Sequence, residues 1–304
     1  MSTPASGLAS GAPDPHLLRI RDLIYQAAGI FQPDNKLRLL EDRCRRRMVV
    51  LKVNSVREYL DRLSHPISGR EEMVKLLNEV TIGETCFFRN QPQLDALKSI
   101  IWPRIIEARA SIPIKKLRIW SAGCSTGQEP YTLAMLVADG LAYYYLRNPL
   151  PLETATPKPL IPPPWKVEIL ASDISYSVLR AGQEGIYNEN QMASVDYSYR
   201  LRYFDKVGER YAVKQALKQV VHFDFHNLKT EYLPQRNDAI FCRNVMMYFD
   251  EAEQKRLIEK FARCLNRDGY LFVGHAESLL GLTKSFAMVH RNSGTAYQKV
   301  EVNT

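Results

Sequence analysis

The sequence predicts an α/β fold: a doubly wound, mostly parallel sheet ending in an antiparallel hairpin, with a helical unit before it and a small β insertion within it. Short apolar runs at Leu117–Trp120, Val167–Ala171, Asp238–Cys242 and Tyr270–Val273 alternate with helical stretches, the pattern of strands covered on both faces by crossover helices. Upstream of Ser111 no such run occurs and the pattern is helical. Ala287–His290, Asn292-Ser-Gly and Thr295–Val300 read as the terminal hairpin.

The helices are punctuated locally. Asp14-Pro15 reads as an N-cap with Pro in the first turn, and Gly29 closes that helix. Ser55 and Glu58 form a capping box for Val56–Leu63, and helices follow over Arg70–Val80 and, after Pro92, Leu94–Ala110. Further helices are expected at Pro130–Leu146 and Ser177–Ala181, and one opened by the Asp250/Glu253 box and stopped by Gly269. Pro149–Pro164, with seven prolines, is a surface excursion of polyproline character. Asp196–His226 lacks a helical period and reads as a β appendage. The expected domains are a flexible tail (1–14), a helical unit (15–90), a linker helix (91–110) and a sheet domain (111–304) with its β-subdomain at 196–226.

Of 304 residues, 45% are hydrophobic and 24% charged, which excludes wholesale disorder, and no apolar run is long enough to span a membrane. Five cysteines without a Cys-x-x-Cys pair point to reduced thiols in a cytosolic protein. The net charge of +8 favours an acidic partner. Eight basic residues lie between Lys36 and Arg57 against Glu41 and Asp42 alone. Leu37, Leu40, Cys44, Met48 and Leu51 fall at helical spacing there, which predicts an inward stripe and an outer cluster of Arg43, Arg46 and Arg47.

Candidate site residues gather at strand ends. Ser121-Ala-Gly-Cys-Ser-Thr-Gly-Gln-Glu-Pro-Tyr131 joins the first strand to the next helix, where doubly wound folds bind ligands. It is neither a G-x-G-x-x-G nor a phosphate loop, and alone it also reads as a tight βα turn. Asp173 ends the second strand, placed to take ribose hydroxyls or to cap a helix. Arg243 and Asn244 follow the third strand, and that pair is costly to bury without polar partners. No metal-ligand spacing and no nucleophile elbow are present.

Thr81–Arg89 (TIGETCFFR), Ser121–Tyr131, Leu170–Ile174 (LASDI), Gly185-Ile-Tyr187, His226-Asn-Leu228, Ala239–Asp250 (AIFCRNVMMYFD) and Gly274-His-Ala-Glu-Ser278 occur in this order. From Leu17 to Val300 the series resembles the chemotaxis receptor methyltransferase (CheR) family. The resemblance implies a class I methyltransferase domain that uses S-adenosylmethionine, behind a helical receptor-recognition domain. The implied reaction forms glutamate methyl esters on cytoplasmic signalling helices of chemoreceptors and releases S-adenosylhomocysteine. Carried over by motif, Thr85, Arg89, Glu129, Asp173, Asn227, Leu228, Arg243 and Asn244 would line the cofactor. Arg89 and Tyr248 would face the transferring methyl, and Arg43, Arg46 and Arg47 would meet the acidic receptor helix. Gly83 stands where some members have Asn, and the stretch from Tyr203 to Asn227 is shorter than in members that grip a receptor's terminal pentapeptide, so a pentapeptide-independent enzyme is expected. A cytoplasmic monomer that binds no nucleic acid and does not insert in membranes completes the expectation. The rival readings are a non-catalytic cofactor-binding regulator and a nucleic-acid methyltransferase; against the latter, the strand-end motif is Arg-Asn-Val-Met and no Pro-Cys dipeptide occurs.

Overall fold

The computed structural model describes residues 13–81, 83–148, 159–291 and 294–301, and the chain divides into two compact units, Met1–Thr81 and Ile82–Thr304. The expected tail lies outside the described residues except for Pro13 and Asp14, as does most of the proline-rich excursion and the Asn292-Ser pair of the hairpin turn.

The first unit holds four helices, α1 (Pro15–Ala28), α2 (Leu37–Leu51), α3 (Val56–Ser64) and α4 (Ser68–Val80). Asp14 accepts the His16 amide and Gly29, in the left-handed conformation, closes α1. Ser55 Oγ accepts the Glu58 amide at 3.2 Å, and the Glu58 carboxylate reaches back to the Asn54 amide. On α2 the stripe Leu37, Leu40, Cys44 and Met48 is buried.

The second unit opens before the expected boundary at residue 90, because Phe87 lies in its hydrophobic core. The run α5 (Gln91–Ala96), a π-helical turn at Leu97–Ile101 and α6 (Trp102–Ala110) is part of that core rather than a bare linker. Leu94, Leu97, Ile101, Trp102 and Ile106 are buried in it, and Gln93 Nε2 donates to the Val273 and Thr295 carbonyls at 3.0 and 2.8 Å.

The chain continues through β1 (Lys116–Ala122), α7 (Gln128–Arg147), β2 (Lys166–Asp173), α8 (Tyr176–Glu184), β3 (Ile186–Asn188), α9 (Tyr197–Tyr203), β4 (Phe204–Val207) and β5 (Arg210–Val213). It ends with α10 (Gln215–Lys218), β6 (Val221–Phe225), β7 (Asn237–Cys242), α11 (Glu251–Cys264), β8 (Leu265–Val273), β9 (Phe286–Arg291) and β10 (Gly294–Lys299). The main sheet has the order β6-β2-β1-β7-β8-β10-β9; its first five strands are parallel, and β10 runs antiparallel to both neighbours. Side chains alternate between two cores. Leu117, Ile119, Ala239, Phe241, Tyr270 and Phe272 bury on the face covered by α7, while Trp120, Ile240, Leu271 and Val273 bury on the face covered by α11. Alternation between two dry faces is why these strands read as continuous apolar runs.

Two expectations are corrected. Gly269 does not stop α11; the helix ends at Cys264 and β8 begins at once, with Gly269 inside the strand. A register shift between Asn237 and Ala239 absorbs the polar Asn266–Asp268 stretch, and Asn266 Nδ2 is tied to Asp238 Oδ1 at 2.7 Å. The β insertion does not span 196–226: β3, β5 and β4 form a separate antiparallel sheet beginning at Ile186, and Tyr197–Tyr203 is helical. Val221–Phe225 instead pairs in parallel with β2 at the edge of the main sheet, since Val221, Phe223 and Phe225 pack inward while His222 and Asp224 face out. Among the described residues no helix is long and apolar enough to cross a membrane.

Candidate active site

Where β1 ends, the backbone must turn sharply. Gly123 has φ 85° and Gly127 φ 94°, and a Cβ on Gly123 would lie 2.4 Å from Val245 Cγ2. The Gly123 and Cys124 amides donate to the Ser172 carbonyl at 2.8 and 2.9 Å, pinning this turn to the end of β2. Gly127 caps α7 without a side-chain bond, so the first-turn amides of a 20-residue helix open onto the turn.

Asp173 joins two turns: Oδ2 accepts the Ser125 amide and Oδ1 the Ser175 amide, each at 3.0 Å. Burial still holds its carboxyl above the ordinary value, against those amides. It is a brace, and it keeps lone pairs for a further donor. The His226 amide donates to the Asp173 carbonyl at 3.0 Å. This sets the Asn227-Leu228 turn beside Asp173, with Asn227 Oδ1 accepting the Lys229 amide and Leu228 packed on the α11-side core.

Glu129, in the first turn of α7, is largely buried, its side chain 14% exposed. Its Oε1 accepts Ser121 Oγ at 2.7 Å and its Oε2 accepts Arg243 Nη1 at 3.2 Å. Burial raises its pKa, while Arg243, Ser121 and Arg89 pull it back. Arg243, 4% exposed, also donates from Nη2 to the Arg89 carbonyl at 2.5 Å. Arg89 is half-buried and its Nη1 donates to the Glu84 carbonyl. Thr85 lies half-buried in the same segment, which is tied to the glycine turn by Ser125 Oγ donating to the Gly83 carbonyl at 2.8 Å. A Cβ at Gly83 would sit 3.2 Å from Ser125 Oγ. Asn244 has φ 59°, and Tyr248 ends the helical turn Met246–Tyr248, half-buried.

The structure thus brings Arg89, Glu129 and Arg243 into contact, and sets Asp173, Asn227 and Leu228 along the neighbouring strand ends. Arg47 departs from the expected outer cluster. Its Nε and Nη2 donate to Glu72 Oε1 and Oε2, both at 2.9 Å, and Tyr59 Oη donates to the same carboxylate. Position 47 flanks the buried stripe, and a buried carboxylate on α4 draws the guanidinium inward. Arg46 is exposed and Arg43 half-buried.

Three contributors carried no sequence assignment: Ser121, Tyr187 and Glu277. Tyr187 Oη donates to the Thr126 carbonyl at 2.8 Å, and its ring meets Phe87 edge-on. Ser121 and Glu277 lay inside quoted motifs without any pattern that marks a role. No cluster suited to a metal ion occurs among the described residues.

A glycine turn at the end of the first strand, an acid at the end of the second and an antiparallel strand inserted beside β8 define a class I methyltransferase. The family model described as "CheR methyltransferase, SAM binding domain" matches residues 83–147 and 160–295, and "CheR methyltransferase, all-alpha domain" matches 15–81. The chain belongs to the CheR methyltransferase family and is an S-adenosylmethionine-dependent methyltransferase. It is 33% identical over 268 residues to the chemotaxis protein methyltransferase of Borreliella burgdorferi, covering 87% of this chain and 88% of that one. It is 36% identical over 282 residues to the chemotaxis protein methyltransferase of Escherichia coli strain K12, covering 90% and 88%. The residues present fit S-adenosylmethionine: the carboxylates of Asp173 and Glu129 answer a cationic, hydroxyl-bearing ligand, and buried Arg243 Nε lacks a protein acceptor.

Proposed function

We propose that this enzyme transfers the methyl group of S-adenosylmethionine to glutamate side chains on cytoplasmic signalling helices of chemoreceptors. The carboxylate oxygen forms the new O–CH3 bond as the S–CH3 bond breaks. A cation and an anion become a neutral thioether and a neutral ester, and no proton moves.

One observation carries the reading: the groups around the turn are either held protonated by burial or already engaged, so none is free to take a proton. Burial pushes the Cys124 and Cys242 thiols and the Tyr187 phenol well up, and Glu129 is occupied by Ser121 and Arg243. The His226 ring is packed edge-on against Trp120. An acceptor here must arrive already ionised, and a glutamate with pKa ~4.3 does so at neutral pH. Charge is lost on the way to product, so a dry pocket favours the transition state and orientation supplies much of the rest.

In this scheme Asp173 takes the ribose, while Thr85, Asn227, Leu228, Arg243, Asn244 and Glu129 line the donor. Arg89 orients a carboxylate and Tyr248 positions the acceptor by hydrogen bonding. Arg43 and Arg46 steer acidic receptor helices to the N-terminal unit, its recognition domain. Arg47 serves by bracing α2. The short stretch from Tyr203 to Asn227 supports pentapeptide-independent action, by a monomer in the cytoplasm.

The test is incubation with methyl-labelled S-adenosylmethionine and receptor-containing membranes. Label released by base as methanol is the expected result; base-stable label on the receptor, or none, removes the ester reading.

A further inference from the structure

We propose that Glu277 is a positioning residue for methyl transfer: its carboxylate is the clasp that holds the Arg243–Tyr248 loop in its working shape. This rests on the reaction proposed above. Oε2 accepts the Asn244 amide at 2.9 Å and the Gly274 amide at 2.6 Å, and Oε1 accepts the Met247 amide at 3.2 Å. One side chain on the loop after β8 thus gathers both ends of the loop after β7 and the start of its own.

The clasped loop needs holding. Asn244 sits at φ 59°, a left-handed conformation that asparagine tolerates better than other non-glycine residues but that still has to be held by its surroundings. Charge-assisted bonds from a carboxylate to backbone amides are about twice as strong as neutral ones, so Glu277 is well suited to hold it. On either side of Asn244 are the groups the reaction uses. Arg243 crosses to Glu129 and the Arg89 carbonyl, and Tyr248 closes the helical turn that begins at Met246. Gly274 completes the clasp by leaving space: a Cβ there would lie 2.8 Å from Glu277 Oε2 and 3.0 Å from the Asn244 nitrogen. A residue acting this way lowers turnover by misplacing other groups, without touching the reacting atoms.

The test uses the full chain with two variants, Glu277→Gln, which presents an amide to the same N–H groups, and Gly274→Ala, which wedges the clasp open. Four readouts are taken: kcat on receptor membranes, the dissociation constant for S-adenosylhomocysteine, the melting temperature, and hydrogen exchange of residues 243–249 by mass spectrometry. In both variants kcat is expected to fall at least about tenfold, since small displacements of positioned groups are that costly. Exchange of 243–249 should quicken at least about fivefold, as it does when amides lose their acceptors. Product affinity should weaken clearly less than turnover falls, because Arg243 and Asn244 are displaced while Asp173 and the glycine turn are untouched. Parent-like exchange in that segment overturns the proposal, as does turnover within twofold of the parent. So does a proportionate fall of affinity, turnover and melting temperature, which marks a general loss of stability. If the unaltered protein methylates no receptor, the proposed acceptor fails while the exchange and affinity readouts still decide the clasp.

Discussion

Glu129, in the first turn of α7, and Arg243, just past the end of β7, meet as a largely buried pair with Nη1 3.2 Å from Oε2. The pair joins the first turn of α7 to the loop that carries Asn244 and Tyr248. Removing one partner leaves the other charged and buried, so Arg243→Met should destabilise the protein by about 3 kcal/mol in urea unfolding at neutral pH. The double variant Glu129→Gln/Arg243→Met should recover about half of that, the signature of coupled neighbours.

The same pair sets a pH dependence. Burial holds the Glu129 carboxyl above its ordinary value of 4.5, with Arg243 opposing. A proton bound more tightly by the folded than the unfolded chain means stability falls as pH rises between the two values. Removing Arg243 moves the folded value further up. The deficit of Arg243→Met relative to the parent should therefore be larger at about pH 8 than at about pH 5, read from urea midpoints.

Gly127 combines φ 94° with close neighbours. A Cβ would lie 2.9 Å from Tyr187 Oη and 3.0 Å from both Gly182 Cα and Phe223 Cζ. Gly127→Ala should cost about 2 kcal/mol or more and weaken S-adenosylhomocysteine binding at least about tenfold, measured by denaturation and calorimetry.

Two neighbouring arginines should behave oppositely. Arg47→Ala strands Glu72, whose side chain is 4% exposed, and should lower stability by about 3 kcal/mol. Arg46, 54% exposed, pairs with Glu79 at 3.7 Å, and Arg46→Ala should change stability by less than about 0.5 kcal/mol. Its effect should appear instead in receptor methylation rate, and should shrink as added salt shortens the ~8 Å screening length.

Local signals were legible in the sequence. The Asp14, Ser55 and Asp250 caps operate through neighbouring amides, and the strand runs follow from alternation into two cores. What escaped was set by partners far along the chain. Arg47 turns inward for Glu72 on another helix; Gly269 continues a strand because Asn266 is held by Asp238; and Val221–Phe225 joins the main sheet because β2 offers an edge. Glu277 lies in the Gly274–Ser278 motif, where nothing in the sequence marks a role for it, and only the folded loops reveal three amides pointing at it.

Calorimetric titration of the parent protein and Asp173→Ala with S-adenosylhomocysteine tests the central claim most directly. The parent is expected to bind and the variant to bind at least about tenfold more weakly, since the carboxylate proposed to pair with ligand hydroxyls is lost. No heat from the parent, or equal affinity in both, would contradict it.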